Sequence, residues 1–104
     1  MNFLNEAQAY EGEMRAFFED LHRHPEPSHF ENRTNQRVRE QLRAHQIDML
    51  CPKDNITIAV IRGAKPGKTV GLRFDTDALQ MQELCDVPYK SETDGLMPVS
   101  YTHL

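Results

Sequence analysis

Apolar positions change their period along the chain. Between Asn5 and His24, Tyr10, Met14, Phe17, Phe18 and Leu21 recur at intervals of four, three, one and three residues, which draws a wide apolar stripe along a helix. Asn5 is placed to cap that helix, and Glu6, Glu11 and Glu13 suit its early turns, where the helix dipole favours negative charge. Pro25 ends it at or before His24, because the residue preceding a proline is pushed out of the α region. Ser28 and Glu31 stand at the spacing of a capping box, which predicts a second helix running to about His45. Phe30, Thr34, Val38 and Leu42 share one of its faces, and Arg33, Arg37, Glu40 and Arg43 occupy the other.

Beyond Gln46 the period shortens to two. Ile47 to Leu50 has room for a short strand ahead of the turn formers Pro52, Asp54 and Asn55. Asn55 to Arg62 reads as a strand with Ile56, Ile58 and Val60 on one face and Ala59 and Ile61 on the other. Apolar character on both faces predicts cover on both sides. Gly63 to Lys68 is a loop around Pro66-Gly67, and Thr69 to Phe74 is the next strand, with Val70, Leu72 and Phe74 on one face. A connection this short predicts that the two strands pair antiparallel. From Asp75 onward the pattern is irregular and polar apart from Ala78-Leu79-Gln80-Met81, and no internal repeat or low-complexity segment is present. The expectation is one modest α/β domain.

Composition narrows the class of protein. The chain has 104 residues and a formal net charge of -4, with its basic residues scattered among acids as in Arg37-Val38-Arg39-Glu40. That pattern suits a solvated helix face and excludes the basic stripe of a nucleic-acid module. No apolar run approaches the roughly 18 residues of a membrane span. Met1 to Glu6 has neither the basic head nor the apolar stretch of a secretory signal, so the expected location is cytoplasmic. Cys51 and Cys85 are far apart and outside any CxxC pattern, which reads as free thiols.

Chemistry concentrates at Arg73-Phe74-Asp75-Thr76-Asp77. Asp75 and Asp77 share a side if strand geometry continues through them, at a strand end of the kind where α/β sheets bind ligands. Like charges so close favour a nearby divalent cation or hydrogen-bond donors. The alternative is a polar strand exit whose Asp residues cap backbone amides. In His22-Arg23-His24-Pro25-Glu26 the two histidines project about 200° apart while the helix lasts, a poor geometry for sharing a metal. A helix C-terminus carrying dipole-compatible side chains accounts for them better. His29, His45 and His103 show no evident partner. Ala64-Lys65-Pro66-Gly67-Lys68 lacks the glycine and hydroxyl residues of a phosphate loop and reads as a turn.

Together these pieces carry a resemblance. His22-Arg23-His24-Pro25-Glu26, Ile61-Arg62-Gly63-x-Lys65-Pro66-Gly67, Val70-x-Leu72-Arg73-x-Asp75-x-Asp77-Ala78-Leu79 and Glu92-x-Asp94-Gly95-x-Met97, in this order, resemble the metal-dependent amidohydrolases and peptidases of the aminoacylase/carboxypeptidase type. The nearest branch is that of hippurate hydrolases, N-acyl-amino-acid amidohydrolases and indole-acetyl-amino-acid hydrolases. The resemblance implies the N-terminal portion, two helices and a β-hairpin, of a zinc-peptidase-like α/β catalytic domain whose central sheet is flanked by helices. It implies hydrolysis of an amide linking an acyl group to an amino acid, aided by a divalent metal (zinc, manganese or cobalt) and a glutamate general base. A homo-oligomeric parent is implied, with a small-molecule substrate and neither nucleic acid nor membrane as partner.

In the wider family the strand end reads His-x-Asp, a metal-binding histidine followed by the carboxylate that orients it. Asp75 stands at the histidine position and Asp77 at the orienting position. This branch instead draws ligands from a His-Ala-Cys-Gly-His-Asp segment expected directly after Met97. The chain continues Pro98-Val99-Ser100-Tyr101-Thr102-His103-Leu104, so residues 1–97 are expected to be catalytic-domain sequence and 98–104 foreign or artefactual. On this reading the chain holds no metal of its own and is inactive. Gln80 and Pro27 also depart from the family's usual proline and leucine. The competing reading is a small stand-alone α/β interaction module without catalysis.

Overall fold

The structure, a computed structural model, describes residues 2–99. The predicted first helix is broken into α1 (Phe3–Gln8) and α2 (Glu11–Arg23). Asn2, not Asn5, caps α1 and accepts the Asn5 amide at 3.2 Å. The break falls at Ala9-Tyr10, where the Tyr10 amide turns back to the Ala7 carbonyl at 3.0 Å. Every residue from Asn2 to Ala16 is exposed, so no packing holds the two pieces in one line. Helices this short need such packing to persist. The buried part of the stripe is therefore its C-terminal end, at Phe17, Phe18, Leu21 and His22.

The helix α3 (Asn32–Ala44) begins later than the capping-box pattern predicts. Ser28 does not cap it. Glu26 reaches forward instead, and its carboxylate accepts the amides of Arg33 and Thr34 and the Thr34 hydroxyl. His29 turns the chain with φ 72°, and Glu31 accepts its amide at 3.1 Å. Phe30 lies outside the helix and is exposed, whereas Thr34 is buried and Val38 and Leu42 are half-buried. Asp20 of α2 holds α3 by its side, receiving Arg33 Nη2 and Arg37 Nε at 3.0 Å each.

A β-hairpin is present, but its strands differ from the predicted pair. β1 (Asp48–Lys53) and β2 (Ile56–Val60) run antiparallel, with Leu50 opposite Ile58 and Lys53 opposite Ile56. The short candidate strand before Pro52 was the true partner of Ile56–Val60. The register slips between Leu50 and Lys53, around Pro52, which has no N–H to give the ladder. Residues 69–74 form no strand among the described residues. Val70, Leu72 and Phe74 stay mostly exposed, so the predicted pairing with Asn55–Arg62 is not made.

One face of the hairpin meets α3. Arg39 Nε donates to the Thr57 hydroxyl at 2.9 Å, and Thr57 donates to Asn35 Oδ1 at 2.9 Å. The other face is open, with Ile56 and Ile58 exposed, so cover on both sides is not realised. A last pair of strands, β3 (Ala78–Leu79) and β4 (Met97–Pro98), lies against the end of α2.

Candidate active site

Asp75 and Asp77 sit where an exposed segment turns inward. Asp75 is exposed and paired at 2.6 Å with Arg73. Asp77 is half-buried and immediately precedes Ala78, which is 4% exposed. The Ala78 amide donates to the Glu26 carbonyl at 2.7 Å, and Ala78 forms a parallel bridge with Pro27. The exit of α2 therefore fixes the backbone beside Asp77. Residues 70–77 are not a strand, so strand alternation does not place Asp75 and Asp77 on a common side.

His22, His24 and Glu26 each engage partners within the chain. His22 is 4% exposed and its Nε2 lies 2.7 Å from Glu83 Oε1. Glu83 Oε2 accepts the Ser91 amide at 2.7 Å. Burial works against the Glu83 charge, yet the Ser91 amide and His22 outweigh it and hold the carboxyl below its ordinary range. With Glu83 ionised, Nε2 carries the proton and donates, and Nδ1 is left without a hydrogen-bond partner. The rings of Phe18 and Tyr89 pack on the imidazole with centroids at 5.7 and 5.2 Å.

His24 turns the other way. Its Nδ1 lies 2.9 Å from the Asp20 carbonyl and its Nε2 3.1 Å from a Glu92 carboxylate oxygen. The Glu92 amide donates to the Arg23 carbonyl at 2.8 Å. The poor-pair reading of His22 and His24 thus holds, and each has a separate carboxylate. Glu83 and Glu92 escape a reading by period because both lie in the irregular stretch. The available signal was His22 itself, four residues after Phe18 on an apolar stripe, since a buried imidazole needs a polar partner.

Among the described residues no group of three or more His, Cys, Asp or Glu comes together to hold a metal ion. Asp75 and Asp77 by themselves fall short of the roughly three protein ligands of a catalytic zinc site. The described residues do not fit a metal centre on their own.

No family model matches the chain. Relatives do. N-acetylcysteine deacetylase of Bacillus subtilis (strain 168) is 40% identical over 80 residues, 75% of this chain and 21% of that protein. Thermostable carboxypeptidase 2 of Saccharolobus solfataricus is 42% identical over 79 residues, 74% of this chain and 20% of that protein. The crystal structure of the Bacillus subtilis YXEP protein, described as a dinuclear metal binding peptidase from the M20 family, superposes with a TM-score of 0.82. Its sequence identity is 35%, and the match covers 88% of this chain and 26% of that one. The chain belongs to this family of metal-dependent amidohydrolases and peptidases and carries an N-terminal portion of its α/β catalytic fold. It spans about a fifth of the length of the curated relatives it matches.

Proposed function

We propose that this chain is the N-terminal scaffold of a divalent-metal hydrolase that cleaves the amide bond of N-acyl amino acids or similar conjugates. The likeness to a dinuclear metal binding peptidase carries the reading, because it covers 88% of this chain. A deacetylase of an N-acetylated amino acid and a carboxypeptidase both act on an amide, which supports the bond type. Asp77 is assigned as the orienting carboxylate and Asp75 as its neighbour at the site. The metal (zinc, manganese or cobalt) needs ligands from beyond the described residues, so the chain by itself is inactive. Residues 1–97 are assigned to the catalytic domain, and the tail begins at Pro98, which is fully buried and pairs with Ala78. Residues 100–104 lie outside the described residues.

The test incubates the purified chain, and a full-length protein carrying it, with N-acyl amino acids and Mn²⁺ or Zn²⁺. Turnover is expected from the longer protein alone. Metal-dependent turnover by the 104-residue chain, lost in Asp77→Ala, would contradict the assignment.

A further inference from the structure

We propose that the buried His22–Glu83 pair positions Asp77, making both members positioning residues for the reaction. The catalytic consequence rests on the reading of Asp77 given above, whereas the mechanical one stands on the structure alone.

Two attachments to one short stretch of chain follow Asp77 on its C-terminal side. On its immediate C-terminal side the Ala78 amide is held at 2.7 Å by the Glu26 carbonyl, just past the end of α2. Further along, Glu83 is held at 2.7 Å by His22 in the last turns of α2. Glu83 uses its other oxygen for the Ser91 amide, so one carboxylate ties α2, the outgoing arm that follows Asp77 and the returning arm that leads into β4. The arms meet again where Gly95 donates its amide to Gln82 Oε1 at 2.8 Å and where Ala78 and Leu79 pair with Pro98 and Met97.

The β3–β4 ladder is two residues long on each side. Even a full isolated hairpin is marginal in water, so this ladder needs outside support to keep its register. The clamp supplies it from a dry place: His22 is 4% and Glu83 2% exposed, beneath Phe18 and Tyr89. A buried hydrogen-bonded pair adds little stability over an apolar pair of the same volume. What this pair does, and an apolar pair does not, is fix direction at each of its oxygens.

The experiment compares Glu83→Ala, Glu83→Gln, Asp77→Asn and the Glu83→Ala/Asp77→Asn double variant in a full-length protein carrying this segment. It reads kcat and KM with N-acetyl amino acids, and residue-resolved amide exchange. Glu83→Ala is expected to lower kcat roughly ten-fold, the low end for a supporting residue, with KM little changed. It is expected to add little in the Asp77→Asn background, because residues acting through one another are non-additive. Exchange at Ala78, Ser91 and Gly95 should speed up while that of the β2 amides does not. Glu83→Gln keeps one acceptor oxygen, for the Ser91 amide, and meets His22 Nε2 with an N–H that is accepted only if the imidazole changes tautomer, so it should recover part of the lost kcat.

Additive losses, or exchange that rises equally in β2, would overturn positioning in favour of a general stability role. If Glu83→Ala does not fold, Glu83→Gln carries the comparison, and wild-type exchange at Ala78 combined with a lost kcat overturns the proposal. If Asp77→Asn is fully active, or no amide is hydrolysed, the functional reading fails. The exchange at Ala78 and Ser91 then decides the clamp by itself.

Discussion

Glu83 loses most of its water on folding, and burial alone would raise its pKa; the Ser91 amide and the His22 imidazole reverse that and hold it low. A carboxyl with a depressed folded pKa contributes stability that is fully present above its unfolded value, near 4.5, and is lost as pH falls through the lower folded value. Asp20 behaves alike: burial raises it, but Arg33 and Arg37 outweigh burial and lower it. Acid titration of a full-length protein, followed by amide exchange at Ser91, should therefore show protection declining below about pH 4.5. Glu83→Gln should flatten that decline, and an unchanged acid profile in this variant would remove Glu83 as its source. Between the two aspartates, Asp77→Asn should cost more activity than Asp75→Asn, by about 10–100-fold if Asp77 orients a ligand. A larger loss from Asp75→Asn would show the roles reversed.

At the level of elements, α3 depends on a cap borrowed from the preceding turn. Glu26 satisfies the amides of Arg33 and Thr34 as a capping side chain would, although it lies well ahead of the first helical residue, Asn32. Glu26→Ala should cost α3 about 0.5–2 kcal/mol, the usual range for a lost cap. The matching observation is faster amide exchange at Arg33 and Thr34, while the Asn35 amide keeps its bond to the Glu31 carbonyl. Unchanged exchange there would mean that the dipole and the Asp20–Arg33 contact suffice without Glu26. The hairpin makes a complementary point: α3 covers only its Thr57 face, by hydrogen bonds from Arg39 and to Asn35.

As a whole molecule the chain is too open for its size. Its accessible surface is 8369 Å², whereas a folded monomer of 12.1 kDa exposes about 6,000 Å². Its radius of gyration is 15.5 Å, against about 13 Å for a compact domain of this length. Among the described residues Ala78 is buried at 4% exposure, while Ile61, Val70, Leu72, Phe74 and Leu84 are each more than 70% exposed. Leaving a large apolar side chain wet forfeits about 1.5–3 kcal/mol, and total stabilities are only about 5–15 kcal/mol. The isolated chain is therefore expected to self-associate or to unfold without a steep transition. Sedimentation combined with chemical denaturation checks this; a monodisperse monomer with a sharp cooperative transition would favour the stand-alone module instead. Replacing Val70 and Leu72 by threonine and lysine should reduce any self-association, because it breaks the exposed apolar run from which another copy could be captured.

Local chemistry was enough to place several features. The stripe Phe17-Phe18-Leu21 marked a helix, Pro25 marked its end and Ile56-x-Ile58-x-Val60 marked a strand, because each depends on a period or on a fixed φ. The motif order from His22 to Met97 pointed to the family for the same reason: it is a property of the chain read in one direction. Pairing and capping were decided elsewhere. Ile56–Val60 pairs with Asp48–Lys53 across the tight Asp54-Asn55 turn and not with Thr69–Phe74. Glu26 displaced Ser28 as the cap, and Glu83 became the partner of His22 across 61 positions of sequence. Neither contact leaves a trace in local spacing, since each joins segments whose separation along the chain says nothing of their distance in space.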